Sequence, residues 1–409
     1  MKMYPKSKSY GMFDIGFLTL SAMSIVTVFA FAVLIDRNML NVDISSVPEE
    51  LAQFGFDKKS IRGSIMAIIN KISQEAHTAR GVSYATIRGM DNDTLKSVSE
   101  SLGIEDGVVT AQGFLGLVPY KIKIKLVQEG EYLTAIVRGF SRMNETFTFK
   151  VKTNEDVVDT TNVYKGVPGL AGGAKTDVEV IQYTTAVKGL LHRVAEGIVD
   201  RIDPYLLAAY YYMNEAPTGK FTKTLPQITR CLEVLPKTEQ QLWPLSVLGL
   251  IHQDQGKPEK AIETYKKVLE MDPKFPFPYV FWGSVLASLG DHDGAIGLYK
   301  KGISLVNSAY PYPMVISHGN KLWADSLVAK GKVDQAEARF KKTIDHFSYD
   351  KSFPIANALI HNAYGLFLMK HHPDQATLAE DHLRKAIYYH NSPKYYSDLQ
   401  QAVKKRVPF

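Results

Sequence analysis

Two histidine-containing clusters are the side chains of this sequence best suited to metal chemistry. They are His371-His372 and Asp291-His292-Asp293. A protein zinc site needs three or four converging ligands, and neither segment supplies that number by itself. Both clusters fall in predicted turns between helices, where polar residues are common. We therefore predict no metal site and no cofactor.

A glycine-rich segment from Gly169 to Thr176 resembles a phosphate-binding loop. Such a loop has a glycine directly before its lysine, because the backbone must wrap closely around the phosphates. Here Ala174 precedes Lys175, and no apolar strand leads into the segment. The sequence therefore predicts a surface loop at this position and no nucleotide site.

Common catalytic motifs are missing from the sequence, which holds no His-Glu-x-x-His, no Cys-x-x-Cys and no Gly-x-Ser-x-Gly. Its one cysteine, Cys231, excludes an intrachain disulfide bond. We find no catalytic set and expect a protein that is not an enzyme. A catalytic pair assembled from distant residues of segment 57–200 stays open as an alternative.

The net charge of +6 resides mainly in the C-terminal half of the chain. Residues 201–409 hold 26 basic and 20 acidic side chains, whereas residues 41–200 hold 18 and 20. This mild excess is typical of a solvated surface, and it also favours an acidic partner or anionic lipid head groups. Nucleic-acid binding needs a denser basic stripe, so we predict no nucleic-acid partner.

An uncharged apolar segment at residues 15–35 predicts a membrane-spanning helix. Its 21 residues would extend about 31 Å as a helix, which matches the hydrocarbon core of a bilayer. Lysines precede the segment and acidic residues follow it, so the positive-inside rule places residues 1–14 in the cytoplasm and the bulk of the chain outside it. The expected setting is a bacterial inner membrane facing the periplasm.

The same segment leaves two alternatives open. The triplet that ends at Ala32 fits a signal-peptide cleavage site, so the helix is either an uncleaved signal anchor or a signal removed after Ala32. Both alternatives deliver the rest of the chain to the same compartment. A mature N-terminus at Val33 would identify the cleaved form.

The segment from 57 to 200 predicts a small α+β domain, preceded by a linker at residues 36–56. Isoleucines recur at three- and four-residue spacing from Ile61 to Ile72, which indicates an amphipathic helix. Lysine and apolar residues alternate from Lys121 to Leu126, as they do in a half-buried strand. Two more β-rich stretches follow, so we expect a three-stranded antiparallel sheet and then a helix from about residue 177 to 200.

The C-terminal half repeats itself with a period of 34 residues. A large residue stands beside a glycine in the first, second and fourth units, a further glycine follows the first helix in the first three, and an alanine recurs in every second helix. Such small residues let two helices approach closely. The recurring positions are Gly249, Gly256, Ala261 and Tyr265, then Gly283, Gly290, Ala295 and Tyr299, then Trp323, Gly331, Ala336 and Phe340, then Gly365, Ala379, Leu383 and Ala386. About seven residues are inserted before the third unit.

These spacings and residue types resemble the tetratricopeptide repeat family over about residues 205–390. Residues 201–240 look like a degenerate first unit, 241–390 form the array, and 391–409 are a basic tail. The resemblance implies a right-handed, all-α superhelix of antiparallel helix pairs, whose first helices line a concave groove for a polypeptide. The expected fold is thus multidomain: a transmembrane helix, a small α+β domain that resembles no family we can name, and a helical repeat array.

The resemblance also implies which side chains face the groove. The candidates are Trp243, Leu250, Gln253, Phe277, Val280, Ser284, His318, Lys321, Asp325, Asn362, Leu366 and Met369. Lys321 and Asp325 stand where some family members hold a lysine and an asparagine that clamp a terminal carboxylate. An aspartate there would repel such a group. The mixed lining instead suits an extended or helical segment of a protein partner.

The sequence therefore predicts a membrane-anchored protein–protein interaction scaffold or assembly factor that acts outside the cytoplasm. Two alternatives remain. The first is an envelope enzyme with its active site in segment 57–200 and the repeats as substrate holder. The second is a structural subunit of an envelope or secretion complex, in which the repeats pack on copies of themselves as a homo-oligomer.

Overall fold

The structure, a computed structural model, describes residues 40–76, 120–130, 132–140, 146–153, 177–307, 312–348 and 353–406. The chain divides into two compact units, whose main boundary lies between residues 206 and 207. The predicted membrane segment and the glycine-rich loop lie outside the described residues. Within the described ranges, every helix is too short or too polar to cross a bilayer.

The first unit combines a sheet with helices. Its described elements are β1 (Leu40–Ser46), α1 (Glu49–Gln53), α2 (Lys58–Glu75), β2 (Tyr120–Glu129), β3 (Tyr132–Phe140), β4 (Thr146–Lys152) and α3 (Asp177–Ile202).

The sheet is four-stranded and mixed, so the prediction of a three-stranded antiparallel sheet was wrong. The strand order is β1-β2-β3-β4, with β1 parallel to β2 and the other neighbours antiparallel. Strand β1 falls in the predicted linker. Its alternation of buried Leu40, Val42 and Ile44 with polar residues is short, and its partner strand lies about 80 residues away in the sequence. A parallel pairing of this kind has no local signal such as a hairpin turn.

The core of the first unit follows the predicted patterns. On β2, Ile122 and Ile124 are buried whereas Lys123 and Lys125 are exposed, as alternation requires. The isoleucine stripe of α2 is also buried, and α2 contacts both α3 and β1. The amphipathic helix and the half-buried strand are therefore confirmed.

The second unit is entirely helical over its described residues. Its helices are α4 (Pro204–Glu215), in which the boundary between the units falls, α5 (Thr224–Val234), α6 (Glu239–Asp254), α7 (Pro258–Met271), α8 (Phe277–Ser288), α9 (His292–Ser304), α10 (Pro313–Ala329), α11 (Val333–Ser348), α12 (Pro354–His371), α13 (Ala376–Tyr389) and α14 (Pro393–Arg406).

From α6 to α13 the helices contact one another in successive pairs, as the repeat pattern predicts. In each of the first three helix pairs, the turn that follows the first helix contains a glycine in the left-handed region of backbone conformation. The φ angles are +66° at Gly256, +89° at Gly290 and +70° at Gly331. A residue with a Cβ atom is strained in that region, which explains the recurrence of glycine there.

The two helices of a pair touch where a glycine faces an aromatic ring. A Cβ atom built on Gly249 would lie 2.3 Å from Tyr265 Cε1, and one built on Gly283 would lie 2.6 Å from Tyr299 Cε1. Both tyrosine side chains are fully buried. The rings therefore fill the space that the glycines leave, and this contact sets the distance between the helices.

The segment predicted as a basic tail contains a helix, α14, which packs against α12 and α13. Ala402 is buried in this contact. On α12, Asn362 Nδ2 donates a hydrogen bond to Asp398 Oδ2 at 3.0 Å. The sequence of α14 is rich in polar and basic residues and holds few apolar ones, so it carries only a weak signal for a packed helix.

A pair of histidines lies buried between α12 and α13. His361 Nδ1 and His382 Nδ1 are 2.7 Å apart, so one imidazole donates a hydrogen bond to the other. Tyr364 and Tyr389 contact the rings, and Lys385 and Asp381 of α13 lie nearby. Burial lowers the pKa of both histidines to about 4, and the positive charge of Lys385 adds to the effect. Both rings are therefore neutral near pH 7.

Replacement of Gly283 by alanine is expected to destabilise the array by about 1–3 kcal/mol, because the new methyl group would overlap the Tyr299 ring. Gly297 supplies the control, since it also lies within a helix but has no atom within 4 Å of an added Cβ. Gly297→Ala should stabilise by roughly 0.5–1 kcal/mol through helix propensity. Urea unfolding followed by circular dichroism measures both changes. An equal effect of the two substitutions would contradict the packing account.

Acid is expected to destabilise the second unit through its buried histidines. Each has a pKa near 6.5 when unfolded and about 4 when folded, so its stabilising effect is complete above pH 6.5 and is lost as the pH falls toward 4. Between about pH 7 and pH 5 the free energy of unfolding should fall by about 1–2 kcal/mol per histidine. A His361→Phe/His382→Phe variant should lose less stability over that interval, whereas exposed His346→Gln should lose as much as the parent. A double variant with the full acid loss would refute this account.

Candidate functional site

Four of the predicted groove residues are buried by the chain itself and are not accessible to a partner in this structure. They are Trp243, Phe277, Val280 and Asn362. The Trp243 ring packs edge-on against Phe275 and Tyr312, with centroids 5.0 and 5.2 Å apart. These four side chains therefore pack within the chain, and their contact with a partner stays a prediction.

The other candidates keep accessible surface. Asp325 and Leu366 are exposed, and the rest are partly exposed: Leu250, Gln253, Ser284, His318, Lys321 and Met369. They lie on the first helices of their pairs, α6, α8, α10 and α12, which we call the first-helix surface.

Hydrogen bonds and ion pairs already order part of the first-helix surface. Ser284 Oγ donates to Gln253 Oε1 at 3.2 Å, which joins two successive first helices. Lys321 Nζ lies 2.7 Å from Asp325 Oδ2, one helical turn away. A surface ion pair of this kind contributes little to stability, so either side chain can be redirected to a ligand at small cost.

His318 differs from its neighbours on this surface. Its ring stacks on Phe281 with centroids 5.2 Å apart. Burial lowers the pKa of His318 to about 4, and the nearby Lys321 adds to the shift. The imidazole is therefore neutral near pH 7 and presents an aromatic, hydrogen-bonding group in place of a charge.

One polar contact at the edge of this surface was not predicted. Tyr212 Oη of α4 donates a hydrogen bond to Asp254 Oδ2 of α6 at 2.8 Å. Burial raises the pKa of Asp254, and burial together with the Asp254 carboxylate raises the pKa of Tyr212. The sequence holds no signal for this contact, because it joins residues of two different repeats.

The first unit contains few groups with a shifted pKa among its described residues. The pKa of Asp57 is lowered because its carboxylate accepts hydrogen bonds from Ser60 at the start of α2. Burial raises the pKa of Tyr183 to about 12, and the Tyr183 ring packs against Phe54. Both shifts have a structural cause in helix capping and core packing.

The two histidine clusters make ordinary structural contacts. Within the described ranges, no group of three or more His, Cys, Asp or Glu side chains is placed to hold a metal ion. In the first cluster, Asp291 instead caps α9 by accepting a hydrogen bond from the Gly294 amide at 2.8 Å. In the second, His372 lies 3.5 Å from Glu337.

Several solved structures resemble the chain weakly. A chain of the APC/C hetero-tetramer Cut9–Hcn1 is 16% identical with a TM-score of 0.38, and the match covers 52% of this chain but only 39% of that one. A thermophilic TPR protein of Thermus thermophilus is 16% identical with a TM-score of 0.38, covering 49% and 98% of the two chains. PilF of Pseudomonas aeruginosa is 16% identical with a TM-score of 0.33, covering 49% and 86%. No curated protein matches this chain.

A family profile matches inside the array. The matched segment, residues 244–275, runs from α6 through α7 and corresponds to the tetratricopeptide repeat. It corresponds to the first of the four units with the recurring residues. The helical array of this chain therefore contains a tetratricopeptide repeat at residues 244–275, and the following helix pairs carry the same recurring residues.

Proposed function

We propose that this chain is a membrane-anchored scaffold or assembly factor that binds a protein partner through its first-helix surface, outside the cytoplasm. Tetratricopeptide repeats are protein-binding modules, which supports the interaction role. The observation that carries the proposal is that Lys321, Asp325 and Leu366 keep their side chains accessible on successive first helices. This surface offers apolar, charged and hydrogen-bonding groups that a polypeptide can contact.

The composition of the first-helix surface favours a partner segment that is partly apolar. Leu366 is 40% exposed, so its remaining apolar area is available for burial against a partner. Lys321 and Asp325 together are neutral and can pair with either charge. Gln253 and Ser284 supply donors and acceptors that match the backbone of an extended chain or polar side chains of a helix.

The membrane anchor rests on sequence alone. The uncharged run at residues 15–35 and the lysines before it support an anchor with the repeat array on the non-cytoplasmic side. Tethering would confine the array to a membrane surface and raise its effective concentration toward a membrane-bound partner. A mature protein that begins at Val33 would contradict the anchor but not the interaction role.

Leu366→Glu is expected to weaken partner binding by about 10-fold or more, because it places a charge where an apolar contact is expected. Leu378→Glu is the matched control. Leu378 is also 40% exposed but lies on α13, a second helix. Both variants carry the same substitution at equal exposure. Quantitative mass spectrometry of proteins co-purified with the full chain from its own membranes measures the effect.

The proposal holds if the same co-purified proteins decrease with Leu366→Glu and persist with Leu378→Glu. It fails if both variants retain those proteins equally. It also fails if both lose them equally while circular dichroism shows each to be folded, because the binding surface would then not be restricted to the first helices.

A further inference from the structure

A cavity of about 410 Å³ lies between α9, α10 and α11. Its larger apolar side chains are Ile296, Trp323 and Leu327, and its charged side chains are Lys300, Lys330, Lys332, Arg339, Lys342 and Asp293. The apolar residues are less exposed than most of the lysines, so the cavity has an apolar floor and a basic rim. We call it the basic pocket.

Trp323 orders two of the cations. The Arg339 guanidinium carbon lies 3.4 Å from the Trp323 ring centroid, and Lys300 Nζ lies 5.2 Å from it. Cation–π contacts hold these side chains over the ring. Because the cations are positioned before a ligand arrives, binding an anion there loses less conformational entropy.

The pocket has a large excess of positive charge. Five cationic side chains and one carboxylate line it, a formal charge of +4. The carboxylate of Asp293 is already paired with Lys330, whose hydrogen bond and charge lower the pKa of Asp293. Across the part of the chain that the structure describes, the other four cations form no ion pair, and these are Lys300, Lys332, Arg339 and Lys342.

This site lies on the opposite side of α10 from the first-helix surface. Trp323 follows Lys321 by two residues, and Leu327 follows Asp325 by two. Successive residues of a helix differ by about 100°, so positions two apart differ by about 200°. A ligand in the basic pocket would therefore not compete for the first-helix surface of the same helix.

The preceding repeat carries only part of the positive charge of the basic pocket. There Lys266 Nζ lies 5.4 Å from the Trp282 ring, as Lys300 does from Trp323. By the repeat register, however, Asp291 and Leu298 stand where Lys332 and Arg339 stand in the basic pocket. The shared Trp–Lys contact is thus part of repeat packing. Lys301 stands where Lys342 stands, so of the four cations without an ion pair, those that the basic pocket adds are Lys332 and Arg339. The preceding repeat packs without a cation at either position.

We infer that the basic pocket binds an acidic segment of a protein partner, in which carboxylates flank an apolar side chain. This inference rests on the proposed function and names the chemistry of a second contact. The apolar floor accepts the central side chain, while Lys300, Lys332 and Lys342 pair with the flanking carboxylates. Arg339 can form two parallel hydrogen bonds to one carboxylate. The binding is salt-dependent, because the rim is exposed.

A fluorescently labelled peptide, Glu-Asp-Glu-Leu-Asp-Glu, tests the inference by anisotropy with the full chain at about 50 mM NaCl. Lys300→Glu/Lys332→Glu should weaken binding by about 10-fold or more. The matched control is Lys257→Glu/Lys266→Glu, at the equivalent positions of an earlier repeat. All four lysines are exposed, and both variants change the net charge equally. The control should change affinity by less than about 2-fold, and a peptide with serine in place of leucine should bind more weakly.

Equal weakening by the two variants would overturn the inference, since binding would then follow net charge alone. Unsaturable peptide binding would also overturn it. So would binding of phosphatidylserine vesicles that is sensitive to Lys300→Glu/Lys332→Glu without peptide binding, because the site would then recognise a lipid surface. The proposed function is tested separately: a chain that fails these assays but loses its co-purified proteins with Leu366→Glu retains the first-helix role.

Discussion

The close approach of two helices at a glycine is the constraint on which the repeat array depends. A buried tyrosine ring occupies the space that Gly249 or Gly283 leaves, and Leu383 does the same at Gly365. Because three of the four hairpins are held at this short distance, and the small residue Ala324 takes the same position in the hairpin of α10 and α11, successive hairpins can stack on one another. A regular stack leaves the first helices aligned on one side. The accessible side chains of the first-helix surface are a consequence of that alignment.

A single helix of the array can serve two surfaces, and α10 is the clearest case. Its Lys321 and Asp325 belong to the first-helix surface, whereas Trp323 and Leu327 form the floor of the basic pocket. Because residues two positions apart in a helix point in nearly opposite directions, the two sets lie on opposite sides of α10. Two contacts with one partner, each weak by itself, would increase the affinity of the assembly through effective concentration.

The repeat pattern made the helical array predictable, because its signals are local: a glycine after three of the four first helices, a small residue opposite a ring, and a period of 34 residues. Other features of the fold could not be predicted, because they depend on contacts between distant parts of the chain. Strand β1 pairs with a strand about 80 residues later, and α14 is held by few apolar side chains. Trp243 packs against Phe275, 32 residues later, and against Tyr312, which precedes α10. The contacts of Lys300 and Arg339 with the Trp323 ring likewise form only when the helices stack.

Photocrosslinking in intact cells tests the central claim most directly. A benzophenone amino acid would be placed singly at positions 321, 325 and 366 of the first helices and at positions 378 and 385 of a second helix. If the first helices receive a polypeptide, the former positions will yield adducts with the same partner protein and the latter will not. Adducts of equal yield at both sets, or at positions 378 and 385 alone, would contradict the account.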